Sequence, residues 1–283
     1  MKTIDTVSDM QHTAERLRLE GRRVAVVPTM GFLHEGHLHL IRTARSHADE
    51  TVTTIFVNPA QFGPGEDLER YPRDLPRDAA LAAGAGTDYL FTPSAQEMYP
   101  ERYQTYVTVE HLSGMLEGKS RPGHFRGVAT IVAKLFNIVR PHIAVFGQKD
   151  AQQVAVVRQM IRDLDFGIEL VVVPTVREHD GLAMSSRNTY LTAEQRRQAP
   201  VLFRSLRHAE ELVNKGERSS ERIIGAMRDL IQGQSSGIID YISVADAETL
   251  EELTQCEGGR PAVISLAVRF GSTRLIDNVM TTC

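Results

Sequence analysis

The chain has 283 residues, 42% of them apolar and 24% charged, and a formal net charge of −4 at pH 7. That length supports one large domain or two smaller ones around a substantial core. The slight acidity argues against nucleic acid or an anionic membrane as a partner, and no apolar run approaches a membrane span. Cys256 and Cys283 form neither a CxxC nor a metal-ligand spacing, so a reducing, cytoplasmic setting is expected rather than a disulfide scaffold. The first 21 residues alternate charged and apolar side chains like a helix and lack the apolar centre of a signal peptide.

In chain order, residues 24–27 (VAVV) and 51–57 (TVTTIFV) are β-branched runs of strand length. Between them Leu40, Ile41, Ala44 and Ala48 share one helical face. Strand, helix, strand is a βαβ unit, which requires a parallel pair and a right-handed crossover. The alternation continues: a helix over 74–84, a strand at 88–91, a short strand at 105–110 and a strongly apolar helix over 125–139. A strand at 142–147, a helix over 150–164 and a strand at 168–174 complete it. This pattern predicts an α/β domain with a doubly wound, Rossmann-like parallel sheet.

Beyond residue 176 the style changes. TAEQ (192–195) is a capping-box pattern opening a long polar helix to about residue 214. SSERIIGAMRDLIQG gives a second helix, and strand-like runs follow at 238–244, 261–268 and 273–279. The expected organisation is a domain over 1–176 and a smaller C-terminal α+β domain over 177–283, with the boundary near 176–190. Gly181 and the polar residues of REHDGLAMSS suit a mobile linker, so the second domain is expected to act as a lid.

The chemistry concentrates where strands hand over to helices. HEGH (34–37) follows the first βαβ strand. A zinc site is disfavoured, since HxxH lacks the i,i+4 spacing of a metalloprotease helix and no cysteine is near. Open α/β sheets bind ligands at strand C-termini, and a helix N-terminus favours phosphate. Gly36 permits close approach of a phosphate, and two imidazoles three apart face the same side. SGMLEGKS (113–120) nearly spells a P-loop, but Ser113 stands where glycine is needed and Arg121-Pro122-Gly123 follows instead of a helix.

AMSSRN (183–188) reads either as a plain inter-domain turn or as a donor loop in which hydroxyls, amides and Arg187 grip a triphosphate. FGQKDAQQ (146–153) opens another helix. A helix cap by Asp150 explains neither Gly147 nor Lys149; the alternative places Lys149 on phosphate and Asp150 on a ribose hydroxyl, with Gln153 on the same side. FVNPAQF (56–62) and RPGHFRGV (121–128) are uninformative alone.

HxGH followed by an SSR loop resembles the paired signatures of the nucleotidylyltransferase superfamily. PTMGFLHEGH, FVNPAQF, LEGKSRPGHFRGV, FGQKDAQQ and LAMSSRN, with RLIDN (274–278) near the end, together resemble the pantothenate synthetase (pantoate–β-alanine ligase) family along nearly the whole chain. The resemblance implies ATP-dependent condensation of (R)-pantoate with β-alanine through a pantoyl adenylate, releasing AMP and pyrophosphate. It also implies Mg²⁺ and a homodimer.

It assigns Met30, Gly31, Phe32, Leu33, His34, Glu35, Gly36 and His37 to ATP, with His37 the usual proton donor. Gly147, Gln148, Lys149 and Asp150 join them, as do the Val176 backbone and Met184, Ser185, Ser186 and Arg187. Gln61 and Gln153 would hold pantoate, and Gln61 would also border β-alanine. Gln148 departs from the glutamate of many members. On this reading His34, His37 and Lys149 stabilise charge during transfer. An adenylyltransferase of the same superfamily is the alternative; a tRNA synthetase fragment would need a basic face that this chain lacks.

Overall fold

The structure, a computed structural model, describes residues 1–283. The chain divides into two compact units, the first comprising residues 1–147 and 156–174, the second residues 148–155 and 175–283.

In the first unit the elements run β1 (Lys2–Ile4), α1 (Val7–Leu19), β2 (Val24–Thr29), α2 (Glu35–His47), β3 (Glu50–Ile55), α3 (Leu75–Ala85) and β4 (Tyr89–Phe91). Short helices α4 (Ala95–Met98), α5 (Glu110–Ser113) and α6 (Glu117–Ser120) precede α7 (His124–Val139) and β5 (Ile143–Gly147). Helix α8 (Ala151–Asp163) leads to β6 (Glu169–Val173). The six strands form one parallel sheet in the order β1-β4-β3-β2-β5-β6. The connections turn one way from β2 and the other way at β5, so the switch point lies between the C-terminal ends of β2 and β5. Doubly wound sheets bind their ligands there.

Strand β2 is a near-continuous apolar run because both its faces are covered, with Val24 to Val27 fully buried. The core on one side gathers Ala25, Val27, Leu33, Ile41, Leu90, Ile143 and Val145.

Two readings of this unit need correction. The first residues hold an edge strand, β1, paired with β4, ahead of the expected helix. Residues 105–110 join no strand. Val107 N–H donates instead to Thr130 Oγ1 on α7 at 3.0 Å, and Arg126 lies 3.7 Å over the Tyr106 ring. The alternating pattern of TYVTVE thus records an extended segment laid along a helix.

The second unit contains α9 (Ala193–Gln198), α10 (Val201–Asn214), α11 (Ser220–Gln234), β7 (Ile238–Asp246), β8 (Pro261–Phe270) and β9 (Thr273–Thr282). The strands form an antiparallel sheet in the order β7-β8-β9. Leu202, Leu206, Ile223, Met227 and Ile231 pack in one core with Val244, Ile264, Leu266 and Phe270. The capping box at Thr192 and Gln195 is present, but the expected single helix is broken at Ala199-Pro200. Pro200 has no N–H to continue the ladder.

Cys256 and Cys283 are joined in a disulfide, their Cα atoms 4.6 Å apart. The expectation against a disulfide fails here because two cysteines outside any motif carry no information about distance in the fold. No helix is long and apolar enough to cross a membrane.

Candidate active site

In the first unit the chain leaves β2 through a turn that the sequence folds by force. Thr29 Oγ1 donates to Thr54 O at 2.7 Å and accepts from Gly31 N–H at 3.2 Å. Gly31 has φ +80°, and a Cβ there would stand 3.0 Å from both Asp78 Oδ2 and Ile55 Cγ2. Phe32 follows with φ +48°, unusual for a residue with a side chain.

Asp78 on α3 holds this conformation. Its carboxylate accepts from Phe32 N–H at 2.6 Å and Leu33 N–H at 2.7 Å, and it is 1% exposed. Bonds to a buried charge of this kind contribute about 1.5–3 kcal/mol each. Arg77 donates to Leu33 O at 3.0 Å.

His34 then caps α2, and its backbone N–H donates to His37 Nδ1 at 3.3 Å. That bond has a chemical consequence. With Nδ1 accepting, the neutral ring carries its proton on Nε2, so His37 offers Nε2–H as a donor. The two rings lie 4.1 Å apart. Gly36 sits in the first turn of α2, while Glu35 is exposed and bonded to Arg42.

Gln61 ends a 3-10 turn, Pro59–Gln61, and is 8% exposed. Its Nε2 lies 3.1 Å from Met30 Sδ, so the structure brings these two expected site residues together. Helix α7 presses on the same turn: a Cβ on Gly127 would fall 2.2 Å from Ala60 O. Gly147 closes β5 at the switch point.

In the second unit, Gln148–Asp150 form a 3-10 turn, with Gln153 in the first turn of α8. The Lys149 ammonium is 3.9 Å from Asp150 Oδ1, and its side chain is 21% exposed. Asn278 on β9 grips this turn. Its Nδ2 donates to Gln148 O at 3.0 Å and Lys149 O at 2.9 Å, and its Oδ1 accepts from Gln148 Nε2 at 3.1 Å.

Next to it Asp277 takes both arms of Arg177, at 2.6 and 3.0 Å. Burial pushes the Asp277 carboxyl upward; the Arg177 donors oppose this. Arg177 bridges Ala183, and Met184 N–H donates to Val176 O at 3.0 Å, making a small hairpin turned at Gly181. Ser185 Oγ accepts from Arg187 N–H and caps the 3-10 turn Ser186–Tyr190, in which Ser186 is buried. These hydrogen bonds join residues 176–188 to one another and, through Arg177, to Asp277 within the second unit.

Asn278→Ala removes three hydrogen bonds and strands two carbonyls. Equilibrium urea unfolding is expected to show a loss of about 2 kcal/mol; an unchanged unfolding midpoint would show that the turn keeps its shape without this clamp.

Sequence reasoning missed Asp78, a lone aspartate on a helix with no motif to mark it. The roles of Asn278 and Asp277 also escaped it, although two adjacent polar residues inside an apolar strand were a usable signal.

The Pantoate-beta-alanine ligase family model matches residues 2–280. A pantothenate synthetase of Acetivibrio thermocellus is 55% identical over 280 residues, 99% of each chain. One from Pelotomaculum thermopropionicum is 53% identical over the same share. Among solved structures, pantothenate synthetase from Thermus thermophilus superposes with a TM-score of 0.92 at 48% identity, covering 99% of each chain. Pantoate-beta-alanine ligase from Francisella tularensis, complexed with beta-gamma ATP and beta-alanine, gives 0.82 at 32% identity over 99% of this chain and 97% of that one. With a match of this extent in sequence and fold alike, the chain belongs to the pantoate–β-alanine ligase family.

Proposed function

We propose that the enzyme joins (R)-pantoate to β-alanine in two steps, through a pantoyl adenylate, with ATP as the energy source and AMP and pyrophosphate as products. The observation that carries this reading is the HEGH turn: a rigid, Asp78-held loop at the sheet's switch point, opening a helix and presenting His37 Nε2–H as a donor. The Francisella protein's complex with beta-gamma ATP and beta-alanine supports the same substrates here.

The residue types suit the chemistry. Pantoate's carboxylate is ionised at pH 7 and attacks the α-phosphorus without a general base. The step needs alignment and stabilisation of charge moving onto pyrophosphate. His34, His37, Lys149 and Arg187 are the donors and cations we assign to that work. Gln61 and Gln153 bind pantoate with neutral amides that do not repel an anion. The departing AMP phosphate, or the small neutral fraction of the amine, lets β-alanine attack in the second step.

No three histidine, cysteine, aspartate or glutamate side chains cluster to hold a metal ion. The protein thus offers no cage for Mg²⁺; the ion fits this chemistry as a companion of the ATP phosphates. The family resemblance supports a homodimer with no nucleic-acid or membrane partner, working in the cytoplasm.

Pyrophosphate exchange into ATP tests the reading. Exchange is expected with pantoate alone, β-alanine absent. Exchange that waits for β-alanine would replace the two-step route with a concerted one.

A further inference from the structure

Backbone groups of fixed polarity set the direction of a side-chain chain ending at Gln61. Gly127 O only accepts, so the Asn58 atom 3.1 Å from it is Nδ2. Asn58 Oδ1 therefore faces the Ala60 N–H at 3.3 Å and the Tyr99 hydroxyl at 2.7 Å. Asn58 Nδ2 also donates to Gln61 Oε1 at 3.0 Å. That occupies the carbonyl end of Gln61 and leaves its NH₂ end directed away, beside Met30 Sδ. Asn58 is buried, so no solvent competes for these bonds.

Tyr99 anchors the far end. Its ring meets Phe56 at 6.3 Å and stands edge-on to Tyr103 at 5.0 Å between centroids, and the Lys134 ammonium lies 5.9 Å from its face. A ring held this way delivers its hydroxyl in one direction. Burial also pushes the phenol far above its usual range, with Tyr103 and Tyr106 adding to the effect, so the hydroxyl keeps its proton at any working pH.

We propose that Tyr99 is a positioning residue: through Asn58 its hydroxyl holds the Gln61 amide with the NH₂ outward, so that Gln61 meets its substrate as a hydrogen-bond donor only. The consequence rests on Gln61 binding pantoate, as proposed above. A donor-only amide selects an acceptor, such as a carboxylate or hydroxyl lone pair, and gives nothing to a donor presented in the same place. Without Tyr99's hydroxyl, Asn58 Oδ1 loses its shortest bond and keeps only the Ala60 N–H at 3.3 Å, so the Asn58 amide, and with it the Gln61 amide, is held less tightly.

The test uses the full-length enzyme and Tyr99→Phe, which keeps the ring stack. Tyr103→Phe trims a hydroxyl from the same stack and serves as the control. In glutamine-¹⁵N-labelled protein, the Gln61 NH₂ resonances, assigned by their loss in Gln61→Ala, are expected to shift or broaden in Tyr99→Phe and to stay put in Tyr103→Phe. The KM for pantoate is expected to rise about tenfold, equivalent to about 1.4 kcal/mol, with the KM for ATP within twofold. Unmoved Gln61 resonances, or equal effects of both variants, overturn the relay. Moved resonances with an unchanged pantoate KM overturn its role in substrate binding. A wild type without pantoate-dependent turnover overturns the pantoate reading instead, and the resonances then decide the relay alone.

Discussion

Lys149→Ala and His37→Ala are each expected to lower kcat by about 10²–10³, equivalent to about 2.7–4 kcal/mol of transition-state stabilisation, while the fold survives. The structure explains why activity and stability separate. Lys149 occupies a short turn whose shape depends on Asn278 bonding to backbone carbonyls, not on the lysine side chain. Its ammonium is 3.9 Å from Asp150, whose side chain is 47% exposed, a pairing worth little in water. Alanine therefore leaves no buried group unsatisfied, and stability is expected to stay within about 0.5 kcal/mol. His37 accepts one backbone bond from His34, so its loss costs the first turn of α2 about 1 kcal/mol. The measurements are kcat and kcat/KM alongside circular dichroism and urea unfolding. A folded variant turning over at more than a third of the wild-type rate would remove that side chain from the charge-stabilising set.

The fold's alternation is readable because parallel strands buried on both faces must be apolar runs, and VAVV and HIAVFG announce themselves that way. The helices between them follow from period alone. Elements whose pattern serves a different neighbour are not readable. TYVTVE alternates because it lies along α7, and β1 is too short to show a period at all. The long polar helix breaks at Pro200, a stop signal present in the sequence but masked by the helical period on either side of it.

The site shows the same division. HEGH, FGQKDAQQ and AMSSRN are local in sequence and chemically distinctive. The groups that shape them come from far along the chain. Asp78 bonds residues some 45 positions away, and Asn278 bonds residues some 130 positions away. Such partners have no local signature, since only folding brings them together. The disulfide is a further case of a pair invisible in spacing.

His124 supplies the remaining large effect, an acid-side loss of stability centred on Gln61. Its ring sits between two groups of fixed character. Nδ1 is 2.8 Å from Gln61 O, which only accepts, so Nδ1 carries the proton. Nε2 is 3.0 Å from an Arg121 nitrogen, which only donates, so Nε2 is bare. Arg121 is itself locked in a bidentate bond to Glu66. A second proton on His124 would have to sit on Nε2, facing a cation in a buried place. Burial first, and Arg121 second, lower the His124 pKa to about 4, against the opposing pull of Gln61 O, Glu66 and Glu117.

The sign follows from proton binding. Between about pH 4 and 6.5 the unfolded chain binds a proton that the folded chain refuses, so stability is complete above pH 6.5 and falls as pH drops. The slope approaches about 1.4 kcal/mol per pH unit, and the whole loss is on the order of 3 kcal/mol. Although desolvation works against it, the Arg121 contact holds the Glu66 carboxyl below its ordinary range, so its own acid loss begins near the ordinary glutamate pKa of about 4.3 and overlaps only the acid end of the His124 window. Urea unfolding at pH 7, 5.5 and 4.5 measures the slope. His124→Asn keeps a donor for Gln61 O but cannot titrate, and is expected to flatten the dependence by about 1 kcal/mol per pH unit in that window. Because the folded chain refuses this proton across the window, the His124 clamp on Gln61 stays intact there, and the affinity of the folded wild type for pantoate is expected to hold until the pH approaches about 4. Parallel pH slopes for wild type and His124→Asn would show that this imidazole titrates at its ordinary pKa, and that the clamp on Gln61 tolerates a second proton.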